Sequence, residues 1–197
     1  LTNISTMKIG IFGGTFNPIH IGHAIIANFI AQNSCLDAIW FMVAPHNPLK
    51  AGACGASDID RIKMVEMVAR KIDKVTTSAF EFSLPRPSYT YNTLIELKKR
   101  FPNDEFYLII GGDNWQNFDK WRNHDEIIRD FNIMVYPRHG FETVIPEELS
   151  NRVKLIEAPI IELSSTNIRA ALKEQRNMNF FLSNEVYEYI LENKLYI

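Results

Sequence analysis

Short apolar runs alternate with amphipathic stretches along the whole chain. Residues 7–12 (MKIGIF) form a β-type run closed by Gly13-Gly14, and from Ile21 onward Ile25, Ile26, Phe29 and Ile30 recur at helical spacing. Residues 38–43 read as a second strand, stopped where Pro45 and Pro48 forbid regular structure. Asp58 is placed to cap a helix that turns Ile62, Val65, Met67 and Val68 inward, with Asp60 in its first turn. Residues 75–78 read as a strand, Pro85 and Pro87 mark a loop, and residues 91–99 return to helix through Leu94, Ile95 and Leu97. Residues 106–110 (FYLII) are apolar without a break, the mark of a strand buried on both faces, and they too end in Gly-Gly, at Gly111-Gly112. Residues 133–136 and 153–156 read as further strands, and 166–173 and 185–191 as closing helices.

Strands alternating with helices predict an α/β fold: one doubly wound parallel sheet, Rossmann-like, with helices on both faces. No repeat, linker-like stretch or charge block interrupts the pattern, so residues 1–197 are expected to form a single domain. The six residues ahead of Met7 are set aside as an added or disordered leader. In open sheets of this kind the ligand sits outside the carboxyl ends of the strands, where strand order reverses. That rule directs attention to the loops at 13–23, 45–50, 111–121 and 137–140, and to the turn before Thr166.

Composition narrows the function classes. The 197 residues are 46% hydrophobic, and 21 Lys plus Arg against 23 Asp plus Glu give a formal net charge of −2. Disorder and bulk attraction to nucleic acid or an anionic membrane are thereby disfavoured, so any basic site has to be local. Cys35 and Cys54 are far apart and form no CxxC, which excludes a disulfide framework or a cysteine zinc cluster and points to a reducing cytoplasm. The most apolar window, 38–44, falls far short of the roughly 18 residues of a membrane span, and no signal peptide is expected.

The first strand-end loop carries the richest chemistry: Gly13-Gly14-Thr15-Phe16-Asn17-Pro18-Ile19-His20-Ile21-Gly22-His23. It follows a strand and opens a helix, so backbone N–H groups and a positive dipole end face it, and glycines let a phosphate approach the main chain. His20 and His23, three apart, can point to the same side and serve an anion that gains charge during reaction. The pair could instead ligate zinc, although no Cys or carboxylate stands nearby in sequence, or merely cap and pack the helix. Neither a Gly-x-Gly-x-x-Gly nor a Gly-Lys-Ser/Thr fingerprint is present. Leu163-Ser164-Ser165-Thr166-Asn167-Ile168-Arg169 offers consecutive hydroxyls ahead of a helix, and Arg169 near its start opposes the helix dipole unless an anion is bound. A plain cap with a solvated arginine is the other reading.

GGTFNPIHIGH together with SSTNIR resembles the paired signatures (T/G)-x-x-H-x-G-H and ISST-x-(I/V)-R of the HIGH-type nucleotidyltransferases. Further stretches are similar to the nicotinate-mononucleotide adenylyltransferase family: Pro45-His46-Asn47-Pro48-Leu49-Lys50, Asp60-Arg61-Ile62-Lys63-Met64 and Ser88-Tyr89-Thr90 with Thr93-Leu94. Gly111-Gly112-Asp113-Asn114 with Lys120-Trp121, and Pro137-Arg138-His139-Gly140, complete the set. The likeness runs in order from Met7 almost to the last residue.

The resemblance implies adenylyl transfer from ATP to nicotinate mononucleotide, giving nicotinate adenine dinucleotide and pyrophosphate, with Mg2+ bridging ATP phosphates and no protein metal ligand named. It implies that His20, His23 and Arg169 are catalytic. It places Gly13, Gly14, Thr15, Phe16, Lys50, Asp113, Arg138, Ser164, Ser165 and Thr166 against ATP, and Asn17, Thr90 and Trp121 against nicotinate mononucleotide. The partners implied are these substrates, not nucleic acid or a membrane, and a homo-oligomer stays open. Arg122 departs from the aromatic residue that many relatives carry after the tryptophan. Nicotinamide mononucleotide or phosphopantetheine as acceptor, and a nucleotide-binding regulatory module without turnover, are the competing readings.

Overall fold

A computed structural model describes residues 6–45 and 55–197. The strands are β1 (Lys8–Gly14), β2 (Ala38–Val43), β3 (Val75–Ser78), β4 (Glu105–Gly111), β5 (Asn132–Tyr136) and β6 (Val153–Leu155). The helices are α1 (Ile21–Asn33), α2 (Asp58–Ala69), α3 (Thr90–Arg100), α4 (Gly112–Trp115), α5 (His124–Asp130), α6 (Ser165–Lys173) and α7 (Asn184–Glu192). The six strands form one sheet in the order β3-β2-β1-β4-β5-β6, and every neighbouring pair is parallel.

The chain winds outward from β1 to β3, then crosses back to lay β4 on the other side of β1. Strand order therefore reverses between β1 and β4, where Phe12 is in register with Ile109. Both strands run on into their glycine pairs, so the two Gly-Gly ends predicted from sequence stand side by side at the switch point.

Alternation along the strands feeds two cores, one on each face of the sheet. Ile9, Ile11 and Leu108 pack with Leu94, Leu97 and Ile127 on one face, while Phe12, Phe41 and Ile109 pack with Ile30, Val65 and Val186 on the other. No helix among the described residues is long and apolar enough to cross a membrane.

α2 departs from its predicted face and cap. Its buried stripe is Arg61, Met64, Val65 and Val68, while Ile62 and Met67 are only half-buried. The true stripe keeps the i, i+3, i+4, i+7 spacing of a helix face but places an arginine in its first position, which an apolar pattern skips. The cap is Ser57 rather than Asp58: its Oγ accepts from the Asp60 N–H at 3.2 Å, and Asp60 Oδ2 accepts from the Ser57 N–H at 3.1 Å. This reciprocal box satisfies two backbone donors at once.

Candidate active site

His20 is the N-cap of α1 and His23 lies one turn in, so the helix start brings the two rings together. They stack with centroids 3.8 Å apart. The His20 backbone N–H donates to His23 Nδ1 at 3.3 Å, so a neutral His23 carries its proton on Nε2 as a hydrogen-bond donor. Gly22 makes the stacking possible: a Cβ there would stand 3.0 Å from His20 Nδ1 and 3.1 Å from Ile161. His23 also sets its edge against Phe16, with ring centroids 5.1 Å apart. Of the backbone donors expected to be free in the first turn, Ile21 N–H is taken by the Phe181 carbonyl at 2.9 Å.

Both imidazoles are held neutral. Burial, then the nearby Arg138 guanidinium, lowers His20 to about 4, and burial, then His20 and Arg138, keeps His23 well below the ordinary imidazole range. An unfolded chain protonates such a group near 6.5, whereas the folded chain keeps His20 neutral down to about 4. Stability present above pH 6.5 is therefore lost as the pH falls toward 4, by about 2 kcal/mol between pH 7.5 and pH 5 for His20 alone. Urea midpoints at the two pH values measure this, and His20→Gln should flatten the difference. Equal pH dependence in variant and parent would contradict the assignment.

The SSTNIR segment meets this loop directly. Ser164 caps α6, accepting from the Asn167 N–H at 3.2 Å; Ser165 Oγ donates to the Pro18 carbonyl at 2.9 Å. Arg169 donates from Nη1 to the Asn17 carbonyl at 2.8 Å and from Nη2 to Thr166 Oγ1 at 3.3 Å. The unfavourable placement of Arg169 near a helix start thus has a partner within the chain, the loop carbonyl. Ser164 and Thr166 accept in these bonds, which leaves their own hydroxyl protons able to donate.

On the other side of the histidine loop lies a cleft of about 360 Å3 at the carboxyl ends of β1 and β4. Gly13, Gly14, Thr15, Thr90 and Trp121 all line it. A Cβ on Gly13 would meet nothing within 4 Å, so the main chain is open there to a close approach. Trp121 both faces the cleft and packs against the core, its ring 5.3 Å from that of Phe118. Arg122 sits over the ring of Tyr89 at 4.7 Å and ties the Trp121 segment to the start of α3. Asp113 and Arg138 face each other across the ends of β4 and β5, with Oδ1 and Nε 3.7 Å apart. Arg138 and Ser164 share a second, smaller groove of about 130 Å3.

Phe16 and Asn17 do not line the cleft. The Phe16 ring is buried among Phe12, Phe41 and His23, and Asn17 is buried with its Oδ1 accepting from the Tyr196 hydroxyl at 2.6 Å. Both side chains build the loop from behind. Lys50 lies outside the described residues, as do His46 and Asn47.

Three residues without a predicted role also build this region. Arg61 is fully buried; its Nη1 donates to the carbonyls of Thr15 and Ala44 (2.8 Å to the latter), and its Nη2 pairs with Asp58 at 2.6 Å. Glu81 lines the cleft and accepts hydroxyl bonds from Thr93 at 2.9 Å and Ser88 at 3.4 Å; burial raises its carboxyl pKa. Tyr196, near the last residue, reaches Asn17. The Asp60-Arg61 stretch was a visible signal for the first of these; Arg61 and Tyr196 reach the histidine loop from 46 and 179 residues away, whereas the partners of Glu81 are only 7 and 12 residues along the chain.

Comparison with known proteins places this geometry in a family. The cytidylyltransferase-like family profile matches residues 11–171. The chain is 46% identical over 186 residues to a protein of Bacteroides thetaiotaomicron named "Probable nicotinate-nucleotide adenylyltransferase", covering 94% of this chain and 92% of that one. It is likewise 46% identical over 191 residues to a protein of the same name from Flavobacterium johnsoniae, covering 96% and 99%. The fold is similar to that of the Plasmodium falciparum nicotinic acid mononucleotide adenylyltransferase complexed with NaAD, with a TM-score of 0.80 and 21% identity over 96% of this chain and 97% of that one. On the strength of near-complete coverage by such relatives, and of a histidine pair and SSTNIR segment joined at the switch point of a parallel sheet, the chain belongs to the nicotinate-nucleotide adenylyltransferase family.

Proposed function

We propose that the chain transfers the adenylyl group of ATP to nicotinate mononucleotide, giving nicotinate adenine dinucleotide and pyrophosphate in NAD synthesis. The observation that carries this reading is the stacked, neutral His20–His23 pair at the start of α1, on a loop whose Gly13 main chain is open and whose Asn17 and Pro18 carbonyls are bonded by Arg169 and Ser165 of α6. A phosphate oxygen of the mononucleotide attacks the α-phosphorus of ATP, and the bond from that phosphorus to the bridging oxygen breaks, releasing pyrophosphate. The attacking oxygen is already ionised at neutral pH, so no base is needed; alignment and stabilisation of charge on the leaving group remain.

The donor set suits those two tasks. A neutral imidazole N–H offers a hydrogen bond at no cost of a second buried charge, and a polyanion beside it raises its affinity for the proton as negative charge accumulates. Ser164, Thr166 and Arg169 face the β- and γ-phosphates, and Arg138 with Asp113 takes the adenosine end. Mg2+ arrives as part of the substrate MgATP, held by phosphate oxygens and water. The groups around the loop are imidazoles, hydroxyls and guanidinium, which is the chemistry of an anion site. The reducing cytoplasm, consistent with only two cysteines, is the compartment we assign.

Pyrophosphate release from MgATP with nicotinate mononucleotide, nicotinamide mononucleotide or phosphopantetheine in turn tests the reading. Release with the nicotinate acceptor is expected. None with any acceptor would sink the enzyme, and preference for the amide would reassign the substrate. Thr90 and Trp121 hold the pyridine ring, an aromatic plane against it and a hydroxyl beside its carboxylate. Trp121→Ala should accordingly raise the Michaelis constant for the mononucleotide about tenfold or more and leave that for ATP nearly unchanged. Equal changes in both constants would remove Trp121 from the acceptor pocket.

A further inference from the structure

The loop that projects His20 and His23 does not hold its shape alone. Phe16 adopts φ 45°, a left-handed backbone that a non-glycine residue keeps only when its surroundings impose it. The segment that follows is gripped from outside, by Arg169 on the Asn17 carbonyl and by Ser165 on the Pro18 carbonyl. A third grip comes from 179 residues away: the Tyr196 hydroxyl donates to Asn17 Oδ1 at 2.6 Å, with both residues 6% exposed. Tyr196 is itself left-handed, with φ 66°, so the chain's last turn is bent to bring this ring inward. Burial raises the phenol pKa, which keeps the hydroxyl protonated and donating.

We propose that Tyr196 is a positioning residue for adenylyl transfer, its hydroxyl acting through the Asn17 side chain to fix the loop from which His20 and His23 reach the phosphates. The assignment rests on the adenylyl-transfer reading of this site. Tyr196 touches no reacting atom; it removes one freedom from the segment that does. A misplacement of a fraction of an ångström at such a loop is felt in the rate of the chemical step more than in binding.

Tyr196→Phe removes the hydroxyl and keeps the buried ring. Its kcat for pyrophosphate release should fall about tenfold, with both Michaelis constants within about twofold of the parent. Tyr189→Phe is the matched control, since that hydroxyl, on the same closing segment, donates to Asp60 Oδ1 at 2.7 Å and not to the loop. It should lower the melting temperature comparably and leave kcat in place. In an Asn17→Ala background, Tyr196→Phe should cost nothing further, because its route to the histidines is already cut.

Parental turnover in folded Tyr196→Phe, equal rate loss in Tyr189→Phe, or losses at Tyr196 and Asn17 that multiply would each overturn the proposal. A parent chain that releases no pyrophosphate would instead sink the adenylyl-transfer reading, and with it the role in catalysis. The loop geometry is then read separately from the imidazole NMR resonances of His20 and His23: Tyr196→Phe shifts them if the hydroxyl holds the loop, and leaves them in place if it does not.

Discussion

His23→Ala is expected to lower kcat about 10²–10³-fold, the size of effect seen when one donor to a charge-developing oxygen is removed from a dry site. The geometry explains why so much rests on one ring. With Nδ1 accepting from the His20 N–H, His23 has a single proton to offer, on Nε2, and the stacked His20 ring and the Phe16 edge leave the imidazole little freedom to turn. A donor fixed in this way costs no reorganisation when charge moves onto the leaving pyrophosphate, so its loss appears in kcat more than in the Michaelis constant for ATP. Truncation also opens a cavity beside Phe12 and Phe16, with a stability loss on the order of 2 kcal/mol, which a melting curve separates from the kinetic effect. His23→Phe, which keeps an aromatic ring but has no N–H, should lose turnover to the same degree. A folded His23→Ala chain with kcat within about threefold of the parent would take the phosphate role away from this residue.

The parts of this site readable from sequence are those in which a residue acts within its own segment. A strand ending in Gly-Gly, two histidines one helical turn apart and hydroxyls ahead of a helix each announce local geometry, and the alternation of strands with helices places all of them at one end of a parallel sheet. Asn17 and Phe16 show where that logic stops: a residue in a binding loop can face the ligand or the core, and only the packing of Phe41, His23 and Tyr196 decides which. Arg169 shows the same from the other direction. Its conflict with the helix dipole was legible, but one partner that answers it, the Asn17 carbonyl, is 152 residues away in sequence. What Arg122 does in place of the aromatic residue is likewise a matter of tertiary contact: its guanidinium lies over the Tyr89 ring, 4.7 Å from the centroid.

Arg61→Met is expected to destabilise the chain by about 3 kcal/mol and to slow turnover as well, although Arg61 touches no substrate. The residue stands in the first position of the buried stripe of α2, and its guanidinium is the meeting point of three segments: Thr15 in the histidine loop, Ala44 at the end of β2, and Asp58 in the first turn of its own helix. Methionine fills much of the same volume, so the cost is electrostatic rather than steric. The carbonyls of Thr15, an exposed residue, and of half-buried Ala44 would lose this donor, at up to roughly 1–3 kcal/mol each where water does not replace it, offset in part by relief of the uncompensated Arg61 Nε. Asp58 contributes less to the loss, since its side chain is 30% exposed and can recover water. Because Thr15 lines the cleft, movement of its freed peptide is also expected to displace the neighbouring main chain of Gly13 and Gly14, the stretch proposed above to face the nucleotide. Arg61→Lys should recover little of either effect: an ammonium is a point charge and cannot span two carbonyls and a carboxylate in one plane. Chemical denaturation and steady-state kinetics on both variants measure the two effects separately. Stability and kcat both at parental values in Arg61→Met would show that the buried guanidinium fills space without fastening the loop to the sheet.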